Sequence, residues 1–170
     1  MTVLGIDPGL ASTGYGVVSS RGTRLVALDG GVIETPAGSA IESRLATIHA
    51  RVSELIAEHA PSAVAVEALF FGANVRTALA VGQARGVVLA AAGQCSLECA
   101  TYTPQQVKAA VCGSGRADKA QVAEMVARLL GLAETPRPDH AADALAVAIC
   151  HSNQVPLRAA AAAAPAAAPA

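Results

Sequence analysis

Three acidic residues stand where an acid is costly. Val3-Leu4-Gly5-Ile6 is a short apolar run that ends on Asp7, after which Pro8-Gly9 turns the chain. Ala63-Val64-Ala65-Val66 is a second such run, and it ends on Glu67. From Ala141 to Cys150 every residue is apolar except Asp143. A carboxylate ending a buried segment is expensive unless a cation lies beside it. A fold that gathers these ends makes a cluster of oxygen ligands, and a hard divalent cation such as magnesium or manganese is its natural occupant. His140 precedes Asp143 by three residues, on the same face of a helix, and a neutral imidazole can also bind a metal. Two such ions can clamp the attacking and leaving oxygens of a phosphodiester. One carboxylate ending a strand reads as a satisfied turn residue; the set points to metal-dependent phosphodiester chemistry.

The elements that must position these groups follow from periodicity and punctuation. Asp7 closes the first strand, Thr13 to Val18 reads as a second and Arg24 to Ile33 as a third, with Asp29-Gly30-Gly31 as a bend, all joined by short hairpin connections. Ile41, Leu45, Ile48, Val52, Leu55 and Ile56 recur at helical spacing, so Ser39 to His59 reads as an amphipathic helix stopped by Pro61. The strand to Glu67 follows this crossover and is therefore expected to run parallel to the first. A helix is expected from about Asn74 to Ala92, a strand from about Ser96 to Tyr102, and a short helix from Pro104 to Val111. Asp118, with Gln121 in capping-box register, opens a helix that Gly131 stops. The last helix spans about Asp139 to Ser152, and Ala/Pro-rich sequence from residue 154 reads as a disordered tail. The expected fold class is α/β, a mixed five-stranded sheet flanked by helices, over residues 1–153. Sites in such sheets form at the carboxyl ends of strands, where Asp7 and Glu67 sit.

The 170 residues, 53% hydrophobic and 15% charged, suffice for one packed domain. No apolar run reaches the length of a membrane span and no basic segment with a long apolar stretch opens the chain, so a cytoplasmic protein is expected. Cys95, Cys99, Cys112 and Cys150 form no zinc spacing with the histidines and read as buried small hydrophobes. The net charge of −1 argues against bulk affinity for nucleic acid. Its distribution tells more: between Phe70 and Lys119 stand Arg76, Arg85, Lys108, Arg116 and Lys119 against only Glu98 and Asp118. Ordinary solvated surface is the bland reading of that stretch, and phosphate contact the functional one.

A resemblance joins these pieces. Gly5-Ile6-Asp7-Pro8-Gly9, Thr13-Gly14-Tyr15-Gly16, Val64-Ala65-Val66-Glu67-Ala68-Leu69-Phe70, Gly82-Gln83-Ala84-Arg85-Gly86, Gln106-Val107-Lys108, Asp118-Lys119-Ala120-Gln121-Val122 and His140-Ala141-Ala142-Asp143-Ala144-Leu145-Ala146 occur in order over about residues 1–153. Together they resemble the RuvC family of Holliday junction resolvases. The resemblance implies an RNase H-like fold, a homodimer, two magnesium ions per subunit with manganese as a substitute, and paired cuts in strands of like polarity at a four-way DNA junction, leaving 5′-phosphate and 3′-hydroxyl ends. It implies Asp7, Glu67 and Asp143 as catalytic carboxylates, with His140 where many members carry a further Asp, as ligand or proton acceptor. It implies Phe70 as the aromatic that meets junction bases and Lys108 and Lys119 as basic residues near the active site; Arg76 joins them as a candidate DNA contact. It also implies a branch-migration motor, RuvA and RuvB, as partner. The tail matches nothing in the family.

Two other readings compete. Gly-x-Asp-x-Gly with a following Thr-Gly resembles the phosphate-binding hairpin of actin-like and sugar-kinase-like phosphotransferases, which need two such domains. A catalytically silent junction-binding module is the other, and the intact acids oppose it. The small residues Ala78, Gly82, Gly86 and Ala90 recur at steps of four and suit either packing on the sheet or a two-fold helix contact. Phe70 and Phe71 suit core packing, or one ring suits insertion between bases. Phe70→Ala should slow cleavage of a paired four-way junction more than of one whose crossover is already unpaired; equal slowing on the two substrates would make Phe70 a packing residue.

Overall fold

The computed structural model describes the backbone of residues 1–68 and 75–163, and the side chains of these except Arg76 and 156–163. The elements run β1 (Thr2–Asp7), β2 (Ser12–Arg21), β3 (Arg24–Glu34), α1 (Ile41–His59), β4 (Ala63–Glu67), α2 (Val75–Gln94), β5 (Glu98–Tyr102), α3 (Pro104–Cys112), α4 (Lys119–Leu130) and α5 (Asp139–Ala163). The strands form one sheet in the order β3-β2-β1-β4-β5. The first three pair antiparallel, while β1–β4 and β4–β5 are parallel, as the helical crossovers require. One ladder is irregular: a bulge between Val17 and Val18 leaves Leu28 of β3 without an opposite residue.

Strand alternation sorts the core into two layers. Leu4, Ile6, Val17, Val64 and Val66 face α1 and α2, meeting Ile48, Val52, Leu55 and Ile56 of the first and Ala84, Val88, Ala91 and Ala92 of the second. Val3, Val18, Ala65, Ala100 and Tyr102 face the other way, toward Val107 and Val111 of α3, Val122, Val126 and Leu130 of α4, and Leu145 to Cys150 of α5. Asp7 and Glu67 continue the second set by the same period of two, so both acids lean toward the α5 layer.

Helix ends are fastened locally. Asp118 and Gln121 form the expected reciprocal cap of α4, at 2.9 Å in each direction. Thr103 and Gln106 repeat the device on α3, where Pro104 occupies the first turn. Such caps contribute about 1 kcal/mol each. Gly113 and Gly131 end α3 and α4 in the left-handed region. α5 differs from expectation: it runs on past Ser152, through Pro156, to Ala163, and its last five residues are alanine, the strongest helix former. The cysteines differ too. Cys150 is buried, but Cys95 is exposed and Cys99 and Cys112 are half-buried. Cys95 falls in the turn after α2, where no core covers it.

α5 lies unusually close to the sheet. A Cβ on Gly5 would stand 2.1 Å from the Ala144 carbonyl oxygen and one on Gly14 would stand 2.0 Å from that of His140. Gly16 would meet the Leu145 side chain at 2.7 Å. These glycines and Ala65 form a trough that receives the alanine-rich face of α5. Gly14→Ala should therefore lower stability by about 1–3 kcal/mol, read from the urea midpoint. Gly93→Ala, in α2 with open space around it, should be neutral or slightly stabilising; similar losses in both would show that the trough does not set the packing.

Candidate active site

The strand register places the acids. Ile6 pairs with Val66 across the parallel β1–β4 ladder, so Asp7 and Glu67 close adjacent strands at their carboxyl ends. The first turns of α5 cross above them and supply His140 and Asp143. His140 Nδ1 lies 2.7 Å from Asp7 Oδ2, a contact across 133 positions of sequence. Ligand atoms of Asp7, His140 and Asp143 all lie within 4.8 Å of one another, a possible metal-binding group. Glu67 is hydrogen-bonded to Asp7. A cleft of about 390 Å3 contains all four, with Lys108 of α3 and Lys119 of α4 on its wall and Pro104, Val107, Val122 and Ala146 as its apolar lining.

Crowding of like charge shows in the acids' protonation. Glu67 is pushed up from 4.5 to about 8, first by burial, then by the negative charge of Asp7 and a hydrogen bond to it, then by Asp143. Burial also raises Asp143, and the Asp7 charge adds to that; Lys119 opposes both. Lys119 Nζ sits 3.4 Å from Asp143 Oδ2, and this carboxylate in turn holds the ammonium above its ordinary value. Lys119 is 74% exposed, so the pair is a solvated contact of small worth. An oxygen-rich donor set with one imidazole and too much negative charge suits a hard divalent cation.

The sequence-derived set is thus brought together for Asp7, Glu67, His140, Asp143, Lys108 and Lys119. Phe70 and the Arg76 side chain lie outside the described residues. The direct pairing of His140 with Asp7 was not foreseen, nor was the apolar wall from Pro104 and Val107. A signal for that wall existed: β5 is a third parallel strand, and α3 leaves from its carboxyl end.

Comparison with known proteins fits this geometry. The profile described as crossover junction endodeoxyribonuclease RuvC matches residues 3–151. The chain belongs to the RuvC family. The crossover junction endodeoxyribonuclease RuvC of Moorella thermoacetica is 56% identical over 158 residues, covering 93% of this chain and 95% of that protein. Its counterpart in Rubrobacter xylanophilus is 57% identical over 150 residues, covering 88% and 84%. The structure of Thermus thermophilus RuvC in complex with Holliday junction substrate superposes with a TM-score of 0.90 at 43% identity, covering 93% of this chain and 96% of that one. The yeast mitochondrial Holliday junction resolvase shares the fold, with a TM-score of 0.65 at 14% identity over 89% and 77% of the two chains. The fold is thus the expected α/β, RNase H-like one, and RuvC membership sets aside the phosphotransferase reading.

The raised Glu67 gives a linkage effect in the metal-free protein. Below pH 4.5 the acid is protonated folded or unfolded, and the folded state keeps its proton up to about 8. The stability this confers is full below the unfolded value and is lost as pH rises through the folded one. With a chelator present, the melting temperature should therefore fall from about pH 5 to about pH 9, and Glu67→Gln should flatten that fall. An unchanged slope in Glu67→Gln would place the titration elsewhere.

Proposed function

We propose that this chain is a Holliday junction resolvase: a metal-dependent endonuclease that cuts two strands of like polarity at a four-way DNA junction, in homologous recombination and DNA repair. The observation that carries the reading is the convergence of Asp7, Glu67, His140 and Asp143 in one cleft of a RuvC-family fold. The junction-bound complex of the Thermus thermophilus relative supports the substrate.

Asp7, Glu67 and Asp143 would hold two magnesium ions, for which manganese would substitute. Bound there, such ions would supply charge stabilisation at the scissile phosphodiester. The carboxylates would fix the ions' positions, and a cation there would relieve the crowding of negative charge that raises Glu67 and Asp143. His140 completes the ligand set or accepts the proton of the attacking water; its Nδ1 contact with Asp7 orients the ring in either role. Lys108 and Lys119, with Phe70 and Arg76, contact the DNA. In-line attack by water leaves 5′-phosphate and 3′-hydroxyl ends.

A homodimer is part of this reading, since a junction with pseudo-two-fold symmetry calls for two active sites. The α2 stripe supports it. Ala84, Val88, Ala91 and Ala92 face the chain's own core, while Gly86 and Ala90 are exposed, and Val75 and Leu79 are exposed on the same helix. A RuvA–RuvB motor and a cytoplasmic location complete the proposal; among the described residues no helix is long and apolar enough to cross a membrane. Residues 1–153 form the nuclease unit and 154–170 an appended tail, a division that the matched span of 3–151 supports.

Glu67→Gln and Asp143→Asn should each lower junction cleavage by on the order of 100-fold or more. Junction affinity at fixed salt should stay nearly constant, because phosphate contacts supply it. Binding by gel shift and single-turnover cleavage on the same labelled junction separate the two, and ordinary cutting by either variant overturns the assignment.

A further inference from the structure

A second groove opens beside the acidic cleft. It encloses about 470 Å3 between the β1–β2 turn, Arg44 of α1, and Ala80 and Val81 of α2. His140 lines both depressions, so they meet at that side chain. Arg44 is braced there. Its Nε donates to Thr35 Oγ1 at 2.8 Å, and the Thr35 hydroxyl donates to the Leu10 carbonyl at 2.5 Å. The Thr35 amide donates to the Ala11 carbonyl at 3.0 Å, and Thr35 itself is 5% exposed. One of the five guanidinium donors is thus used to fix the side chain against the turn that follows Asp7. The remaining four have no carboxylate: among the described residues Arg44 forms no ion pair.

We propose that this groove seats the DNA strand on the side of the scissile phosphate away from Lys108 and Lys119, and that Arg44 is a positioning residue holding a non-scissile phosphate of that strand. The inference rests on the nuclease reading above. A guanidinium fork matches phosphate in geometry and charge, and a fork already braced at Nε loses little freedom on binding. Leu10, Ala80 and Val81 give the groove an apolar wall suited to sugars. Phosphate contacts set register and carry no sequence information. Gripping the strand on both sides of the acids holds the reacting phosphate in place, where a small misplacement costs much rate.

The test crosses Arg44→Gln with junctions in which phosphates flanking the cut are replaced singly by neutral methylphosphonates, in single-turnover cleavage with magnesium. For the unmutated chain, one flanking replacement should slow cleavage about tenfold or more, and Arg44→Gln should slow the unmodified junction by a similar factor. At that one position the two losses should not multiply; at every other they should. A brace that merely supports the turn predicts multiplication at all positions, and that result overturns the proposal. If Arg44→Gln does not fold, as judged by its thermal transition, Arg44→Lys keeps the charge and is read by the same criterion. Failure of the unmutated chain to cut the unmodified junction would instead remove the nuclease reading, and this proposal with it.

Discussion

The structure depends on how closely α5 can approach the sheet. A helix bearing His140 and Asp143 must come within ligand distance of side chains at two strand ends. Ordinary side chains under the helix would hold it too far off. Gly5, Gly14 and Gly16 remove that barrier, and the alanines of α5 remove it from the other side. The gain is close dispersion contact over a wholly buried helix face from Ala144 to Cys150. The cost is intolerance: an added methyl meets backbone oxygen, which cannot rotate aside.

That approach concentrates negative charge where water is partly excluded. The crowding raises Glu67 toward its protonated form, and Lys119 lies against Asp143 as a counter-charge. Gathering like charges in this way works against stability, a common trade at functional sites. Cation binding and proton release are linked, since both answer the same excess of charge.

Much of this was legible from the chain. Apolar runs ending on Asp7 and Glu67 gave the strand ends, and the parallel crossover followed from the helix between them. Asp143, alone in an apolar helix, needed a partner from elsewhere, and Lys119 and Asp7 proved to be its neighbours. The capping signature at Asp118 and Gln121 was read correctly because it is local. What stayed hidden was long-range. His140 reaching Asp7, the glycine trough, and Arg44 braced on Thr35 all depend on which faces meet, and periodicity names a face without naming what covers it. The continuation of α5 to Ala163 has another reason: the alanine run can be helical by propensity, but the prolines near it and its lack of core contacts weigh toward a tail.

The bulge at Val17 and Val18 bears on a different hazard. β3 is an edge strand of eleven residues, and Val26 and Leu28 stand exposed on it at 38% and 51%. A long, flat, apolar edge invites a foreign strand to add to the sheet and seed aggregates. The unpaired Leu28 breaks the ladder's regularity and increases its local twist, so an incoming chain meets no uniform template. Arg24 at the start of the strand and Glu34 at its end add charge at both ends of the same edge. The irregularity thus works as a guard on colloidal behaviour, at the opposite side of the sheet from β5.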